Sequence, residues 1–262
     1  MLSYSEFGAA ASPDRPALLI AHGLFGSGRN WGVIAKRLSD SRQVVTVDMR
    51  NHGTSPRHDS HSYPDMAADL REVIDHLGAP MDVCGHSMGG KAAMVLALTH
   101  PDVVRRLVVA DIAPVAYSHT QTQFIDAMRS VDLENLTRRS DAEAQLAEAG
   151  VEPVLQSFFT QSLDVPNQRW RLNLDVLEAG MDQIIGWPSD VSGSFDGSTL
   201  FLSGGASDYV QPAYRDTIKP YFPAARFAKL PGAGHWLHAE KPREFEAALR
   251  VFLDAEAKST DG

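Results

Sequence analysis

Short, largely apolar runs recur along most of the chain, each closely followed by turn-forming residues. Amphipathic stretches separate these runs, and this alternation is typical of βαβ units that build a mostly parallel sheet. The runs predict strands over residues 17–21, 44–47, 81–84, 107–110, 199–202 and 225–230.

The stretches between the predicted strands carry helical periodicity. Met66, Leu70, Val73 and Leu77 recur at the spacing of one helix face and predict a helix over 64–77. Residues 89–98 are apolar on nearly all sides, as expected for a helix buried against the sheet. A final amphipathic helix is predicted over 242–253. These elements predict the α/β class, with helices flanking the sheet.

Residues 112–197 interrupt this alternation. They carry helical stretches, such as 121–131 and 141–149, and no convincing strand. A helical insertion after one strand of an α/β sheet predicts a cap, or lid, over the site. The predicted organisation is therefore a core of residues 1–111 and 198–262 with a cap of residues 112–197. The polar tail after Asp254 is predicted to be disordered.

Composition narrows the function classes. The formal net charge is −9, and nucleic-acid-binding proteins normally present a basic face, so no nucleic-acid partner is expected. The single cysteine, Cys84, excludes an internal disulfide framework. No signal-peptide pattern opens the chain, and no apolar run approaches the roughly 18 residues of a membrane span. We therefore expect a cytoplasmic protein without stable membrane insertion.

The strongest chemical signal is Gly-His-Ser-Met-Gly at residues 85–89. This G-x-S-x-G pattern directly follows a predicted strand and precedes a predicted helix, which is the context of the nucleophile elbow in the α/β-hydrolase fold. The sharp turn exposes the serine hydroxyl, and the helix N-terminus favours developing negative charge. Ser87 is therefore the predicted nucleophile, in an α/β-hydrolase fold.

A serine hydroxyl needs a positioned base, which in this fold follows the acid in the chain. His235 fits best, because it lies in the glycine-rich loop 232–236 between the last predicted strand and the last helix. Asp208 and Asp111 each follow a late strand, and either could orient the histidine. The usual position of the acid in the fold favours Asp208.

A tetrahedral intermediate also needs backbone N–H donors aimed at its oxygen. One donor is predicted at Met88, directly after the nucleophile. The second is predicted in the His-Gly-Leu-Phe-Gly loop at residues 22–26, at the Leu24 amide or otherwise at Phe25. His52, in the loop that follows the second predicted strand, is expected at the rim of the site.

These motifs together resemble the YbfF-type esterases. The likeness extends from about residue 17 to 253 and rests on HGLFGSGRNW, VDMRNHGTSP, CGHSMGGK, VVADIAPVAY and GAGHWLHAEKP. The resemblance implies an esterase or thioesterase with a small helical cap and with no metal or organic cofactor. It also implies Ser87 as nucleophile, His235 as base and, unlike the general position in the fold, Asp111 as the acid. Both aspartates remain candidates, and the resemblance slightly favours Asp111.

The resulting expectation is a serine esterase acting on short- to medium-chain carboxylic esters through an acyl-enzyme, with a small acyl ester or thioester as its partner. Hydrolysis of acyl-CoA thioesters by the same triad is the alternative, for which basic residues near the cap would bind the CoA phosphates. A non-catalytic ligand-binding role is disfavoured, because a receptor has no use for a complete triad. The candidate phosphate ligands are Arg138, Arg139, Arg169 and Arg171, and the candidate linings of an acyl pocket are Trp31, Trp187 and Trp236, for which core packing is the commoner role.

Overall fold

The computed structural model describes residues 1–255, and the tail predicted to be disordered lies largely outside them. Within this range, seven strands form one sheet in the order β1-β3-β2-β4-β5-β8-β9, and β6 and β7 form a separate ribbon. Only β1 runs antiparallel to its neighbour among the described strands of the large sheet. The strands are β1 (Tyr4–Phe7), β2 (Leu18–Ala21), β3 (Val44–Val47), β4 (Met81–His86), β5 (Val104–Ala110), β6 (Leu163–Asp164), β7 (Arg169–Trp170), β8 (Ser198–Gly204) and β9 (Ala225–Leu230).

Helices cover both faces of the large sheet. Alternate residues of β2 enter different core clusters, Leu19 with α2 and α3 on one face and Leu18 with α1 and α11 on the other. The helices are α1 (Gly32–Leu38), α2 (Tyr63–Leu77), α3 (Met88–Thr99), α4 (Thr122–Arg129), α5 (Arg139–Glu148), α6 (Pro153–Thr160), α7 (Leu174–Ala179), α8 (Met181–Ile185), α9 (Arg215–Tyr221), α10 (Leu237–Glu240) and α11 (Pro242–Leu253). This is the predicted α/β-hydrolase architecture, a mostly parallel sheet flanked by helices.

The pairing of the central strands positions the site. The amide of Ser87 donates to the carbonyl of Ala110 at 3.0 Å, and the amide of Asp111 donates to the carbonyl of Leu202 at 2.9 Å. The first residues beyond β4 and β5 therefore continue the ladder and lie side by side at the carboxyl edge of the sheet. Ligands of open parallel sheets bind at this edge.

The insertion, residues 112–197, contains α4 to α8 and the short β6-β7 ribbon. The expectation that this region contains no strand was wrong in this detail, because β6 and β7, of two residues each, pair antiparallel. Several hydrogen bonds fasten the insertion to the core. They are Tyr63 hydroxyl to Ile184 carbonyl (2.5 Å), Ser162 hydroxyl to Phe25 carbonyl (3.1 Å), Asn30 Nδ2 to Gln161 Oε1 (2.7 Å), Asn173 amide to Asn51 carbonyl (2.9 Å) and Lys91 Nζ to Ile185 carbonyl (2.9 Å).

Within residues 1–255, no helix combines the length and the apolar character needed to span a bilayer.

Candidate active site

Ser87 occupies a strained turn between β4 and α3. Its φ of 51° and ψ of −119° lie where non-glycine residues are rarely found, a conformation that costs about 1–3 kcal/mol and is typical of functional sites. The flanking glycines are required by close contact. A Cβ on Gly85 would lie 2.2 Å from the carbonyl oxygen of Gly89, and one on Gly89 would lie 2.5 Å from that of Ala21.

His235 is held by Asp111. Nδ1 of the imidazole lies 2.8 Å from Oδ2 of the carboxylate, which is fully buried. The amide of Gly204 donates to Oδ1 at 2.9 Å, and the Ser207 hydroxyl donates to Oδ2. The carboxylate is therefore supplied with hydrogen-bond donors from the loop after β8 as well as from the histidine, which fixes its orientation.

Asp208 occupies a different environment. Its side chain is exposed, and among the described residues it forms no hydrogen bond. The loop that carries it contributes instead the Gly204 amide and the Ser207 hydroxyl to Asp111. Of the two candidate acids, the structure brings Asp111 to the imidazole.

Further contacts support His235, one at its ring and one at its backbone. The ring of Tyr209 stacks on it, with centroids 3.9 Å apart and an angle of 20° between the planes. The Tyr209 hydroxyl is 2.7 Å from Nε2 of His119. Nε2 of His86 donates to the backbone carbonyl of His235 at 2.8 Å. Sequence analysis missed Tyr209, since nothing in its local pattern marks it as a neighbour of a residue in the next loop.

Ser87 and His235 line the same cavity. No hydrogen bond between their side chains is present within residues 1–255, and catalytic hydrogen bonds of this kind are commonly long until substrate binds.

The loop at residues 22–26 distinguishes the two candidate amides. Phe25 has a positive φ of 64°, and its amide donates to Nε2 of His52 at 3.2 Å. Leu24 lines the cavity, and its amide has no acceptor among the described residues. Met88 is the first residue of α3, where helix amides have no partner within the helix. Of the three candidate amides, those of Leu24 and Met88 therefore remain available as donors among the described residues.

His52 lies behind this loop and not at the rim of the site, because it is buried and is not part of the cavity wall. Its Nδ1 donates to the carbonyl of Arg50 at 2.9 Å, which leaves Nε2 as the acceptor for Phe25. Burial, with the neighbouring His22 and His61, lowers the pKa of His52 well below 6.5. A neutral imidazole thus supports the backbone of the loop.

The cavity beside Ser87 has a volume of about 340 Å³. Most of its wall is aromatic or aliphatic, including Phe124, Phe158, Phe159, Ile184 and Trp236. Trp236 is thus the candidate tryptophan that lines it. Trp31 is fully buried and stacks on His238 with centroids 4.1 Å apart, and Trp187 is outside the cavity wall.

The arginines considered as phosphate ligands lie outside this wall. Arg138 pairs with Asp141 at 3.0 Å, and Arg169 and Arg171 both face Asp164, at 3.5 and 3.2 Å. Among the described residues, Lys91 is the only lysine or arginine that lines the cavity. Sequence analysis missed it, although a lysine in an otherwise apolar helix was a usable signal. No group of three or more His, Cys, Asp or Glu side chains within residues 1–255 is arranged to hold a metal ion.

Comparisons with known proteins agree with this fold and with the activity of an ester hydrolase. A family model described as the alpha/beta hydrolase fold matches residues 16–242. The "sn-1-specific diacylglycerol lipase ABHD11" of Mus musculus is 43% identical over 250 residues, covering 91% of this chain and 81% of the relative. "Esterase YbfF" of Escherichia coli is 39% identical over 245 residues, covering 90% of this chain and 92% of the relative. A solved "Marine microorganism esterase" superimposes with a TM-score of 0.89 at 37% identity, covering 96% of this chain and 98% of that one.

Proposed function

The chain belongs to the α/β-hydrolase family and is a carboxylic ester hydrolase of the YbfF type, and from that premise we propose a serine mechanism in which Ser87, His235 and Asp111 form the triad. The observation that carries this proposal is the 2.8 Å contact between His235 and the buried Asp111, at a cavity that Ser87 also lines. The strained elbow at Ser87 supports it.

In the first half of the reaction, Nε2 of His235 takes the proton from Ser87 Oγ as the oxygen attacks the ester carbonyl carbon. The carbonyl oxygen becomes an oxyanion, which accepts hydrogen bonds from the amides of Leu24 and Met88. Each such donor contributes about 3 kcal/mol to transition-state stabilisation. The tetrahedral intermediate collapses, the C–O bond to the alcohol breaks, and His235 returns its proton to the departing alcohol. An acyl-enzyme on Ser87 remains.

In the second half, His235 takes a proton from water, and the resulting nucleophile attacks the acyl carbonyl. Collapse of the second tetrahedral intermediate releases the carboxylic acid, and the proton returns from His235 to Ser87. Asp111 keeps Nδ1 of His235 protonated, so that Nε2 is free to act as the base, and it stabilises the imidazolium that forms.

The cavity supports a short- to medium-chain acyl group. Its volume of about 340 Å³ is near the lower end of small-molecule sites, roughly 300–1,000 Å³, and its wall is mainly apolar. We infer that the insertion acts as a lid, because Phe124, Phe158 and Ile184 of the insertion contribute to the same wall as Ser87.

Ester substrates are favoured over acyl-CoA thioesters by the placement of the basic residues. Three phosphates of a CoA group require several cations near the site, whereas none of the four candidate arginines lines the cavity. Arg138 faces Asp141, and Arg169 and Arg171 share Asp164. The described part of the cavity wall carries one cation, Lys91, and it is buried.

The test is hydrolysis of 4-nitrophenyl esters from acetate to dodecanoate, with palmitoyl-CoA measured in parallel. We expect turnover to be greatest for short to medium chains and to fall to the background rate in Ser87→Ala, whose circular dichroism spectrum should match that of the wild type. A Ser87→Ala protein that retains full activity would exclude the serine mechanism. Faster turnover of palmitoyl-CoA than of any ester would favour the thioesterase.

A further inference from the structure

Lys91 is a buried cation beside the nucleophile. It lies one helical turn after Ser87 in α3, its residue is 1% exposed, and it lines the cavity near Ile184 and Ile185. Ser87 and Lys91 line the same cavity, so an acyl group bound at Ser87 shares this space with the amine.

The surroundings of the amine are polar but neutral. Nζ donates to the carbonyls of Ile185, at 2.9 Å, and Gly186. It lies 4.9 Å from the ring centroid of Tyr117 and 5.6 Å from that of Tyr63. Both tyrosine hydroxyls already donate elsewhere, to the carbonyls of Tyr209 and Ile184.

No carboxylate lies within 4.0 Å of Nζ in the part of the chain that the structure describes. An ammonium has three donors, and two are used by the carbonyls, so one remains for a ligand. Burial lowers the pKa of Lys91 from 10.5 to about 7, because no negative charge offsets the loss of water. A negative charge brought into the cavity would therefore stabilise the protonated amine.

We propose that the cavity selects acyl groups that carry a carboxylate at the end remote from the ester, with Lys91 binding that carboxylate. The substrates of this class are half-esters of short dicarboxylic acids, such as succinate and glutarate. The ester carbonyl lies at Ser87, the short methylene chain lies along the apolar wall, and the terminal carboxylate accepts the third N–H of Lys91. This inference rests on the proposed function, since it assigns the acyl side of the ester to this end of the cavity.

The first experiment compares monomethyl glutarate with methyl pentanoate, two acyl groups of equal chain length, by pH-stat with the wild-type enzyme. The ratio of their kcat/KM values cancels the titration of the catalytic base. A hydrogen bond to a charged group contributes about 1.5–3 kcal/mol, so we expect the ratio to exceed about ten at pH 6. It should fall toward one as the pH rises from 6 to 9, because Lys91 then loses its proton. A ratio near or below one at pH 6, or a large ratio that does not change with pH, would overturn the inference.

The second experiment repeats these ratios in Lys91→Met and Lys91→Arg. Methionine removes the charge, so the ratio should drop to about one at every pH. Arginine stays charged at every pH used, so it should keep a preference for glutarate that no longer declines toward pH 9. Retention of the preference in Lys91→Met would assign Lys91 only to fastening α3 to the insertion. If either variant fails to fold, the wild-type pH series still decides the question.

The two proposals fail in different ways. Hydrolysis of methyl pentanoate alone, lost in Ser87→Ala, would overturn the role of Lys91 and leave the serine esterase intact. Equal hydrolysis of both esters by wild-type and Ser87→Ala proteins would overturn the proposed function itself.

Discussion

The phenol ring of Tyr209 lies flat against the imidazole of His235, with 3.9 Å between the ring centroids. The contact restricts the imidazole to one plane while Asp111 restricts it to one direction within that plane. It also places an electron-rich face against a ring that becomes positively charged during the proposed reaction. Attraction of this kind is worth about 0.5–2 kcal/mol.

Replacing Tyr209 with leucine should therefore lower kcat by about tenfold, with a smaller change in KM. Tyr209→Phe is the matched control, since it keeps the stacked ring and removes only the bond to His119. It should stay within about threefold of the wild type, a difference under 1 kcal/mol. Equal losses in both variants would show that the hydroxyl, and not the ring, supports His235. Steady-state kinetics on one nitrophenyl ester is sufficient.

The identity of the acid is tested by Asp111→Asn against Asp208→Asn. We expect at least a hundredfold loss of kcat in Asp111→Asn, because an amide can stabilise the wrong tautomer of His235 and cannot offset the imidazolium charge. Asp208→Asn should change kcat little, since its exposed side chain makes no hydrogen bond among the described residues. The reverse order of effects would assign the acid to Asp208, and a loss below a hundredfold in both would reject both assignments.

The close packing at the elbow predicts that one added methyl group lowers both activity and stability. In Gly85→Ala the new Cβ would meet the Gly89 carbonyl at 2.2 Å, so α3 must shift and Ser87 with it. We expect loss of activity together with a lower unfolding midpoint. Gly32→Ala is the control, because nothing lies within 4 Å of its Cβ and it begins α1. It should be neutral or stabilising by up to about 1 kcal/mol. Similar urea-unfolding midpoints for the two variants would contradict the assignment of close packing at the elbow.

The buried histidines predict loss of stability in acid. Burial lowers the pKa of each below 6.5, to about 3 for His61 and His238. The unfolded chain therefore takes up protons below pH 6.5 that the folded chain does not. Stability from these groups is complete above pH 6.5 and is lost as the pH falls toward each lowered pKa, by at most roughly 1.4 kcal/mol per pH unit for each group. The group comprises His22, His52, His61, His86 and His238.

We accordingly expect the thermal unfolding midpoint to fall by about 10 °C or more between pH 7.5 and 5.5. His238→Phe removes one titrating group and can retain the stack on Trp31, so its midpoint should fall less over the same range. His58→Gln, at an exposed histidine, should follow the wild-type curve. A His238→Phe curve parallel to that of the wild type would contradict a contribution from this imidazole.

The core could be predicted from local pattern, since buried parallel strands are marked by their own apolar runs. Strand β1 could not, because its two exposed residues, Ser5 and Glu6, lie side by side between the partly buried Tyr4 and Phe7 and so show no alternation, while its pairing with β3 joins segments about 40 residues apart. The β6-β7 ribbon could not be predicted either, because two strands of two residues each are too short to show a hydrophobic periodicity.

Within the site, Ser87 and His235 follow from motifs that include their own backbone context. The choice between Asp111 and Asp208 depends on side-chain direction, because both follow neighbouring strands of the sheet. The choice between Leu24 and Phe25 depends on His52, which reaches the loop from 27 residues away. Such contacts between distant segments leave no trace in local periodicity.

The hydrogen bonds that fasten the insertion to the core have a kinetic consequence. Ser162 is bonded to the loop of Phe25, Tyr63 holds the end of α8, and Lys91 holds the residues that follow it. A lid that is fastened to the core at several separate points is poorly suited to open at a lipid–water interface. The hydrolysis rate should therefore rise hyperbolically with the concentration of dissolved ester and show no abrupt increase where that concentration exceeds the solubility. We expect this enzyme to act on dissolved, monomeric ester, and an emulsion should not raise its activity.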